Sequence, residues 1–140
     1  MADDILLNKV ASIERCLTRI RQEYVGHEAV LETDYTRQDS IVLNLQRACE
    51  TVIDIAMHEV RRRRLGLPQD SRDAFNLLEH SGIIPASVAT RMQAMVGFRN
   101  IAVHQYQELD MAILRAILDT HLGDFTAYTH VLITSGHTAR

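Results

Sequence analysis

The chain has 140 residues, of which 46% are hydrophobic and 24% are charged, and its formal net charge is -3. This length fits one domain that can bury a core without help from a metal or a disulfide. No apolar run reaches the roughly 18 residues that a membrane-spanning helix needs, and the acidic N-terminus lacks the basic and apolar regions of a signal peptide. We therefore expect a cytoplasmic protein without membrane contact.

The first predicted helix runs from Asp3 or Asp4 to about Leu31. Its apolar residues recur at steps of three and four, which is typical of an amphipathic helix with a narrow buried stripe. A polar connection follows over Glu32 to Asp39. Within it, Thr36 with Asp39 three residues later resembles a capping box, so we expect the next helix to begin there. The stripe consists of Leu6, Val10, Ile13, Leu17, Ile20 and Tyr24.

The second predicted helix runs to about Arg64 and is apolar on more than one side. Such a helix must be covered on several sides, which predicts either a central helix or one that meets a second subunit. Its end carries the run Arg61, Arg62, Arg63 and Arg64. A helix C-terminus alone favours basic residues. Four in succession exceed that need, so these arginines are candidate RNA contacts, with a solvated helix end as the simpler interpretation.

Three further helices complete the prediction, each with a recognisable start. Asp70 or Ser71 caps a short helix through about His80, Pro85 begins a fourth, and Asp110 caps a fifth. The sequence therefore predicts an all-α, up-and-down bundle of four to five helices, forming one domain over residues 1–134 with a frayed tail over 135–140. The fourth helix should face inward through Val88, Met92, Met95 and Val96, and the fifth through Leu114, Ile117, Leu118, His121, Leu122 and Phe125.

Metal and disulfide chemistry are not indicated. Cys16 and Cys49 lack the spacing of a zinc site or a disulfide framework, and both fall on apolar helical stripes, so we expect them to be buried. His58 and Glu59 are adjacent in the sequence but do not have the spacing of a known metal site. His121 lies on an apolar stripe and should be packed. We predict no metal and no cofactor.

The segment from Arg99 to Tyr106 places a cation, an amide, an imidazole and a phenol within eight residues. On a regular helix Arg99 and His104 lie about 140° apart, whereas Asn100 and His104 lie within about 40°. Three arrangements would let Arg99 and His104 act together. The helix ends or bulges near Ala102, a phosphate lies across the helix edge, or a two-fold axis brings two copies to one cleft.

These residue types suit RNA cleavage without a metal. Histidine titrates near neutral pH, so His104 can accept or donate the protons that move during attack by a 2′-hydroxyl. Arg99 can hold the phosphate through two hydrogen bonds. Asn100 can orient the imidazole or the phosphate, and Tyr106 can stack on a base. A lone histidine in a helix is more often a surface or packed residue, so composition alone is a weak signal.

The pattern R-x4-H-x-Y, formed by Arg99, His104 and Tyr106, resembles the signature of HEPN-domain ribonuclease toxins. The wider sequence resembles the HepT branch, whose members are the toxin partners of MntA-type minimal nucleotidyltransferases. This resemblance covers roughly residues 3–130. It extends to Leu45 through Glu50, Asp54 through Ala56, Leu65 through Pro68, Phe75 through Gly82, and Met95 through Asn100.

The resemblance implies a homodimeric HEPN-like bundle in which two motifs face one cleft at the interface. It implies a metal-independent endoribonuclease, the toxin of a toxin–antitoxin pair. In this family the antitoxin nucleotidyltransferase attaches AMP to the motif tyrosine, and Tyr106 is the matching position. The added bulk and negative charge would exclude RNA phosphate from His104.

A second hypothesis belongs to another class of protein. The chain would be a non-catalytic dimeric module that binds a nucleotide or a nucleotidyltransferase partner, and Arg99 and His104 would hold a phosphate without cutting. Incubation with single-stranded RNA in the presence and absence of a chelator distinguishes the two hypotheses.

Overall fold

The computed structural model describes residues 3–104 and 109–138, without the side chains of residues 103–104 and 136–138. Within these residues the chain forms α-helical segments and no β-strand, which confirms the predicted all-α class. The segments are α1 (Asp4–Tyr24), α2 (Tyr35–Arg63), α3 (Ser71–His80), α4 (Ala86–His104), α5 (Met111–Ala116) and α6 (Leu122–Thr138). None of the described helices is long and apolar enough to cross a membrane.

The helices pack around α2, which contacts α1, α3 and α4. Because α1 and α4 each pack on both α2 and α6, they lie at opposite corners of the bundle. The interpretation of α2 as a central helix is therefore confirmed within one copy of the chain. Its inward side chains include the fully buried Leu45, Cys49, Val52 and Ile55.

The start of α1 agrees with the prediction, but its end does not. The Asp3 carboxylate accepts a hydrogen bond from the backbone N–H of Ile5 at 2.8 Å and so caps the helix. The helix ends at Tyr24 rather than near Leu31. Gly26 adopts a φ of 83°, a left-handed conformation that interrupts an α-helix. A short 3-10 turn, Glu28–Val30, follows.

The start of α2 was also predicted wrongly. The capping residue is Asp34, whose carboxylate accepts a hydrogen bond from the backbone N–H of Arg37 at 3.1 Å, so Thr36 already lies inside the helix. The Arg37 guanidinium strengthens this start, because it contacts both Asp34 at 3.4 Å and Glu23 of α1 at 3.7 Å. The predicted end is confirmed, since Arg64 leaves the helix with a φ of 57°.

The starts of α3, α4 and α5 follow their sequence signals. Asp70 accepts a hydrogen bond from the backbone N–H of Asp73 at 2.8 Å. Pro85 directly precedes α4. Asp110 accepts hydrogen bonds from Ala112 at 2.8 Å and from Ile113 at 3.4 Å. The carboxylates of Asp70 and Asp110 thus satisfy backbone donors that have no partner inside α3 and α5.

A π-helical turn, Ile117–His121, joins α5 to α6. The turn shifts the buried stripe, so that Leu122 faces inward and His121 faces solvent. The expectation of a packed His121 was therefore wrong, because 48% of its side chain is exposed and its ring contacts Asp124 at 3.1 Å. Helix α6 continues to Thr138, past residue 134 where we expected the domain to end.

Candidate active site on helix α4

Helix α4 is continuous from Ala86 to His104. Of the three arrangements considered for Arg99 and His104, a break or bulge at Ala102 itself is therefore not present in the described part of α4. On a regular helix the two Cα atoms lie about 9 Å apart, with side chains on different sides. Two arrangements remain: a phosphate that lies across the helix edge, and a two-fold axis that brings together residues from two copies.

Arg99 is half-buried where α4 packs on α2. Its guanidinium lies close enough to Cys49 to act on that thiol electrostatically. Burial raises the pKa of the Cys49 thiol to about 12, and the positive charge of Arg99 opposes this shift only in part. Cys49 is therefore a neutral thiol at physiological pH, and it provides no counter-charge for the guanidinium.

The Nε atom of Arg99 is buried without a hydrogen-bond partner. Across residues 3–104 and 109–138, no carboxylate forms an ion pair with Arg99. A half-buried cation without a counter-charge is costly for a folded protein to keep. Arg99 is thus positioned to bind an anion that the described part of the chain does not supply.

The other motif residues are only partly within the described structure. Asn100 is exposed and lines a polar cavity of about 290 Å³ between α3 and α4. His104 is the last described residue of α4, one helical turn beyond Asn100. The side chain of His104 and the whole of Tyr106 lie outside the described residues.

The arginine run at the end of α2 divides into two pairs. Arg62 and Arg63 bond to the fully buried carboxylate of Glu59, with closest distances of 2.7 and 3.3 Å. Arg61 and Arg64 are exposed and form no ion pair with any described residue. The run begins about 20 Å along α2 from Cys49, near which Arg99 lies, so the fold does not bring it beside the motif within one copy.

Glu59 belongs to a charged cluster that sequence reasoning did not assemble. Asp3 contacts His58 at 2.6 Å and Arg62 at 3.2 Å, while Arg63 also bonds to Ser135 of α6 at 2.9 Å. The possible ligand atoms of Asp3, His58 and Glu59 lie within 4.8 Å of one another. The two arginines already neutralise these carboxylates, so the cluster ties the N-terminus and α6 to α2. No sequence spacing signals a contact between Asp3 and His58.

An apolar cavity of about 390 Å³ lies between α4 and the α5 segment. Ile101 and Ile113 line it and remain 41% and 50% exposed. Gly97 lies on the same exposed face, and no described atom would come within 4 Å of a Cβ there. A helix-interior glycine costs about 0.5–1 kcal/mol relative to alanine, and none of the described residues of this copy needs the space it leaves. Sequence analysis missed this surface. On a regular helix Ile101 lies about 140° around the axis from Val96 and about 180° from Met92, which predicts that Ile101 faces away from the core.

The fold and the motif helix together define a small helical-bundle protein. Its α4 carries an arginine that has no ion pair among the described residues, five residues before a histidine. Residues 13–132 match the family described as ribonuclease HepT-like. The chain belongs to this family.

One relative is the mRNA nuclease HepT of Shewanella oneidensis. It is 47% identical over 130 residues, which cover 93% of this chain and 97% of the relative. A tri-AMPylated HEPN toxin of Shewanella oneidensis, solved in complex with an MNT antitoxin, has a TM-score of 0.89 at 46% identity, with 94% of this chain and 98% of that chain covered. A toxin–antitoxin structure with AMP-PNP also has a TM-score of 0.89, at 45% identity and with coverage of 94% and 99%.

Proposed function

We propose that this chain is a ribonuclease toxin of a toxin–antitoxin pair, which cleaves RNA without a metal at a site shared by two copies. The observation that carries the proposal is the half-buried guanidinium of Arg99, which lacks a counter-charge among the described residues. Two relatives that match this chain over nearly the full length of both proteins are an mRNA nuclease and a toxin bound to its antitoxin. We place the protein in the cytoplasm, where such an RNA substrate is found.

The chemistry needs one group that removes a proton and another that supplies one. The RNA 2′-oxygen attacks the adjacent phosphorus and loses its proton, while the bond from phosphorus to the 5′-oxygen breaks and that oxygen gains a proton. The products are a 2′,3′-cyclic phosphate and a free 5′-hydroxyl. Two copies of His104 can serve as base and acid. Arg99 stabilises the charge on the phosphoryl oxygens, and Asn100 supports His104 or the phosphate.

A second copy of the chain is the occupant that best fits the apolar cavity beside α4. The cavity lies on the motif helix, because its lining residues Gly97 and Ile101 precede and follow Arg99 in the chain. The space above Gly97 lets another backbone approach closely. We expect Ile101→Lys to produce a folded monomer with no nuclease activity. Leu67→Lys, at a residue that is 94% exposed, is the matched control and should remain an active dimer.

Purified His104→Ala and Arg99→Ala should fold and dimerise but fail to cut single-stranded RNA. His130→Ala, which changes an exposed histidine on α6, should cut as fast as the parent. Cleavage that persists in chelator and leaves 2′,3′-cyclic ends supports the proposal. RNA that is bound but never cut would instead favour a non-catalytic binding module.

We further propose that a nucleotidyltransferase antitoxin inactivates the toxin by attaching AMP to Tyr106. The AMP phosphate adds negative charge and bulk beside His104, which repels the RNA backbone. Tyr24 and Tyr128 are buried, and their hydroxyls donate hydrogen bonds to Asp119 at 2.6 Å and to the Val52 carbonyl at 3.1 Å.

Tyr35, 69% exposed, is the matched control for this modification. Intact mass after co-expression with a nucleotidyltransferase antitoxin should show added adenylate units on the parent and on Tyr35→Phe. Tyr106→Phe should remain unmodified and toxic. Adenylate that persists on Tyr106→Phe would assign the modification to another residue.

A further inference from the structure

The polar cavity beside Asn100 has no role in the mechanism so far. On α4 its lining residues Gln93, Gly97 and Asn100 recur at steps of three and four, so they form one face of the helix turned toward the first turn of α3. The opposite wall carries Asp70, Ser71 and Arg72, with the buried Phe75 also lining the cavity. A second polar groove shares Asp70 and Arg72 and continues along α3.

We propose that this cavity binds the base of an RNA nucleotide next to the scissile phosphate and that it favours guanine. The inference rests on the proposed ribonuclease function. Asn100 lies beside Arg99 in the chain, so a nucleotide in this cavity would directly adjoin a phosphate held by Arg99.

The charges on the cavity walls favour a base over a phosphate. Arg72 is accompanied by the carboxylates of Asp70 and Asp73 at the start of the same helix. Two carboxylates and one guanidinium carry a net negative charge, which disfavours a phosphate in this cavity. A base edge instead offers neutral hydrogen-bond donors and acceptors, which match amide, hydroxyl, carboxylate and guanidinium groups.

The side chains of Asp70 and Arg72 complement the Watson–Crick edge of guanine. That edge carries two adjacent N–H donors beside the O6 acceptor. Asp70 accepts the backbone N–H of Asp73 through Oδ1, and within the described residues Oδ2 has no hydrogen-bond partner. Arg72 is exposed and forms no ion pair with any described residue, so its guanidinium can donate to O6. Adenine and uracil lack this combination of donors and acceptor.

The two walls of the cavity are held together by Gln93. Its side-chain amide donates hydrogen bonds to Oδ1 of Asn76 at 3.1 Å and to the backbone carbonyl of Arg72 at 3.4 Å. These bonds fix the distance between α4 and α3. A pocket with fixed walls discriminates between bases better than one that can adapt.

The test uses short oligonucleotides with one ribonucleotide in a 2′-deoxy background, so that only one phosphate can be attacked. The base on each side of that phosphate is varied separately. For the parent we expect kcat/KM to be about tenfold higher with guanine at one of the two positions, as for a good paired contact to a base edge. Asp70→Asn keeps a capping side chain but removes the carboxylate, and it should abolish this preference, as should Arg72→Ala.

Arg19→Ala is the matched control. It removes one exposed arginine from the outer face of α1, at the corner of the bundle opposite α4, and should retain the guanine preference. A parent without base preference, or an unchanged preference in both Asp70→Asn and Arg72→Ala, would overturn the inference.

Failure of the proposed ribonuclease function would look different, because the parent would then cut none of the oligonucleotides. Affinity for uncleavable 2′-O-methyl oligonucleotides decides the cavity's role in that case. Tighter binding of guanine that is lost in Arg72→Ala supports a base-binding cavity. Equal affinity for all four bases rejects it.

Discussion

Arg63 and Arg99 are both largely withdrawn from solvent, and each has a buried Nε without a hydrogen-bond partner. Their surroundings differ. The terminal nitrogen of Arg63 bonds to Glu59 and to Ser135, so its charge is neutralised inside the protein. Arg99 lies near the neutral thiol of Cys49 instead. The same side chain thus stabilises the fold in one place, whereas in the other it has no counter-charge among the described residues.

The largest effect should come from replacing Arg99. Arg99→Lys keeps the charge but loses the planar fork that binds phosphate through two bonds, so we expect kcat to fall by on the order of 1000-fold. The unfolding midpoint should hardly change, because no described carboxylate depends on Arg99. Arg62→Ala should show the reverse, with normal kcat and lower stability. Turnover by Arg99→Lys at the parental rate would remove Arg99 from the chemistry.

Glu59→Gln should cause the next largest effect, on stability alone. It leaves Arg62 and Arg63 without their buried counter-charge, which should lower the free energy of unfolding by about 3 kcal/mol. Urea denaturation measures this change. Glu14→Gln, at an exposed position on α1, should change the free energy by less than about 0.5 kcal/mol. Equal stability of the two variants would show that the arginine cluster does not hold the end of α2.

A smaller effect should come from the ionisation of Asp3, which should make the free energy of unfolding depend on pH below neutrality. The hydrogen bond from His58, with smaller help from the N–H of Ile5, lowers the pKa of Asp3 although burial opposes the shift. A carboxyl group with a lowered pKa in the folded state stabilises the protein above its ordinary pKa. This contribution is lost as the pH falls through the lowered value.

Asp3→Asn, which still caps α1, should therefore be less stable than the parent near pH 6, and the difference should shrink toward pH 3. Urea denaturation across this range provides the measurement. A constant difference at every pH would mean that the charge of Asp3 does not contribute.

The smallest effect on stability should come from Arg64, whose left-handed backbone at the end of α2 is sterically unfavourable for a residue with a side chain. Arg64→Gly should raise the free energy of unfolding by about 0.5 kcal/mol, because glycine adopts this conformation without steric cost. If Arg64 contacts RNA, the same variant should also lower the salt dependence of RNA binding by about one counterion. Unchanged RNA binding would leave Arg64 as a helix-ending residue only.

Local signals in the sequence predicted most of the fold. Asp70, Pro85 and Asp110 mark helix starts through interactions within three residues, and the apolar periodicity identified the buried face of α4. The errors concern the end of α1 and the start of α2, where the sequence offers more than one possible helix boundary within a few residues. The first helix was predicted to run past Gly26 to about Leu31, although the left-handed conformation of Gly26 interrupts it. Asp34 rather than Thr36 supplies the cap of α2.

The candidate site was predictable only in part. The motif spacing showed that Arg99 and His104 cannot share a face of a regular helix, and the unbroken α4 confirms that geometry. The lack of a counter-charge at Arg99 among the described residues was not predictable, since it depends on which side chains α2 places nearby. The long-range contacts of the charged cluster around Glu59 were equally hidden, because Asp3 reaches Arg62 and Ser135 reaches Arg63 from opposite ends of the chain.

The π-helical turn at Ile117–His121 acts like the insertion of one residue into a continuous α-helix formed by α5 and α6. Loss of a single codon there would restore the ordinary helical phase and rotate α5 by about 100° relative to α6. Ile113 would then leave the surface that it shares with Ile101, while the inward side chains of α6 stayed in place. Assembly of two copies would therefore be sensitive to the length of this segment even where its composition is unimportant.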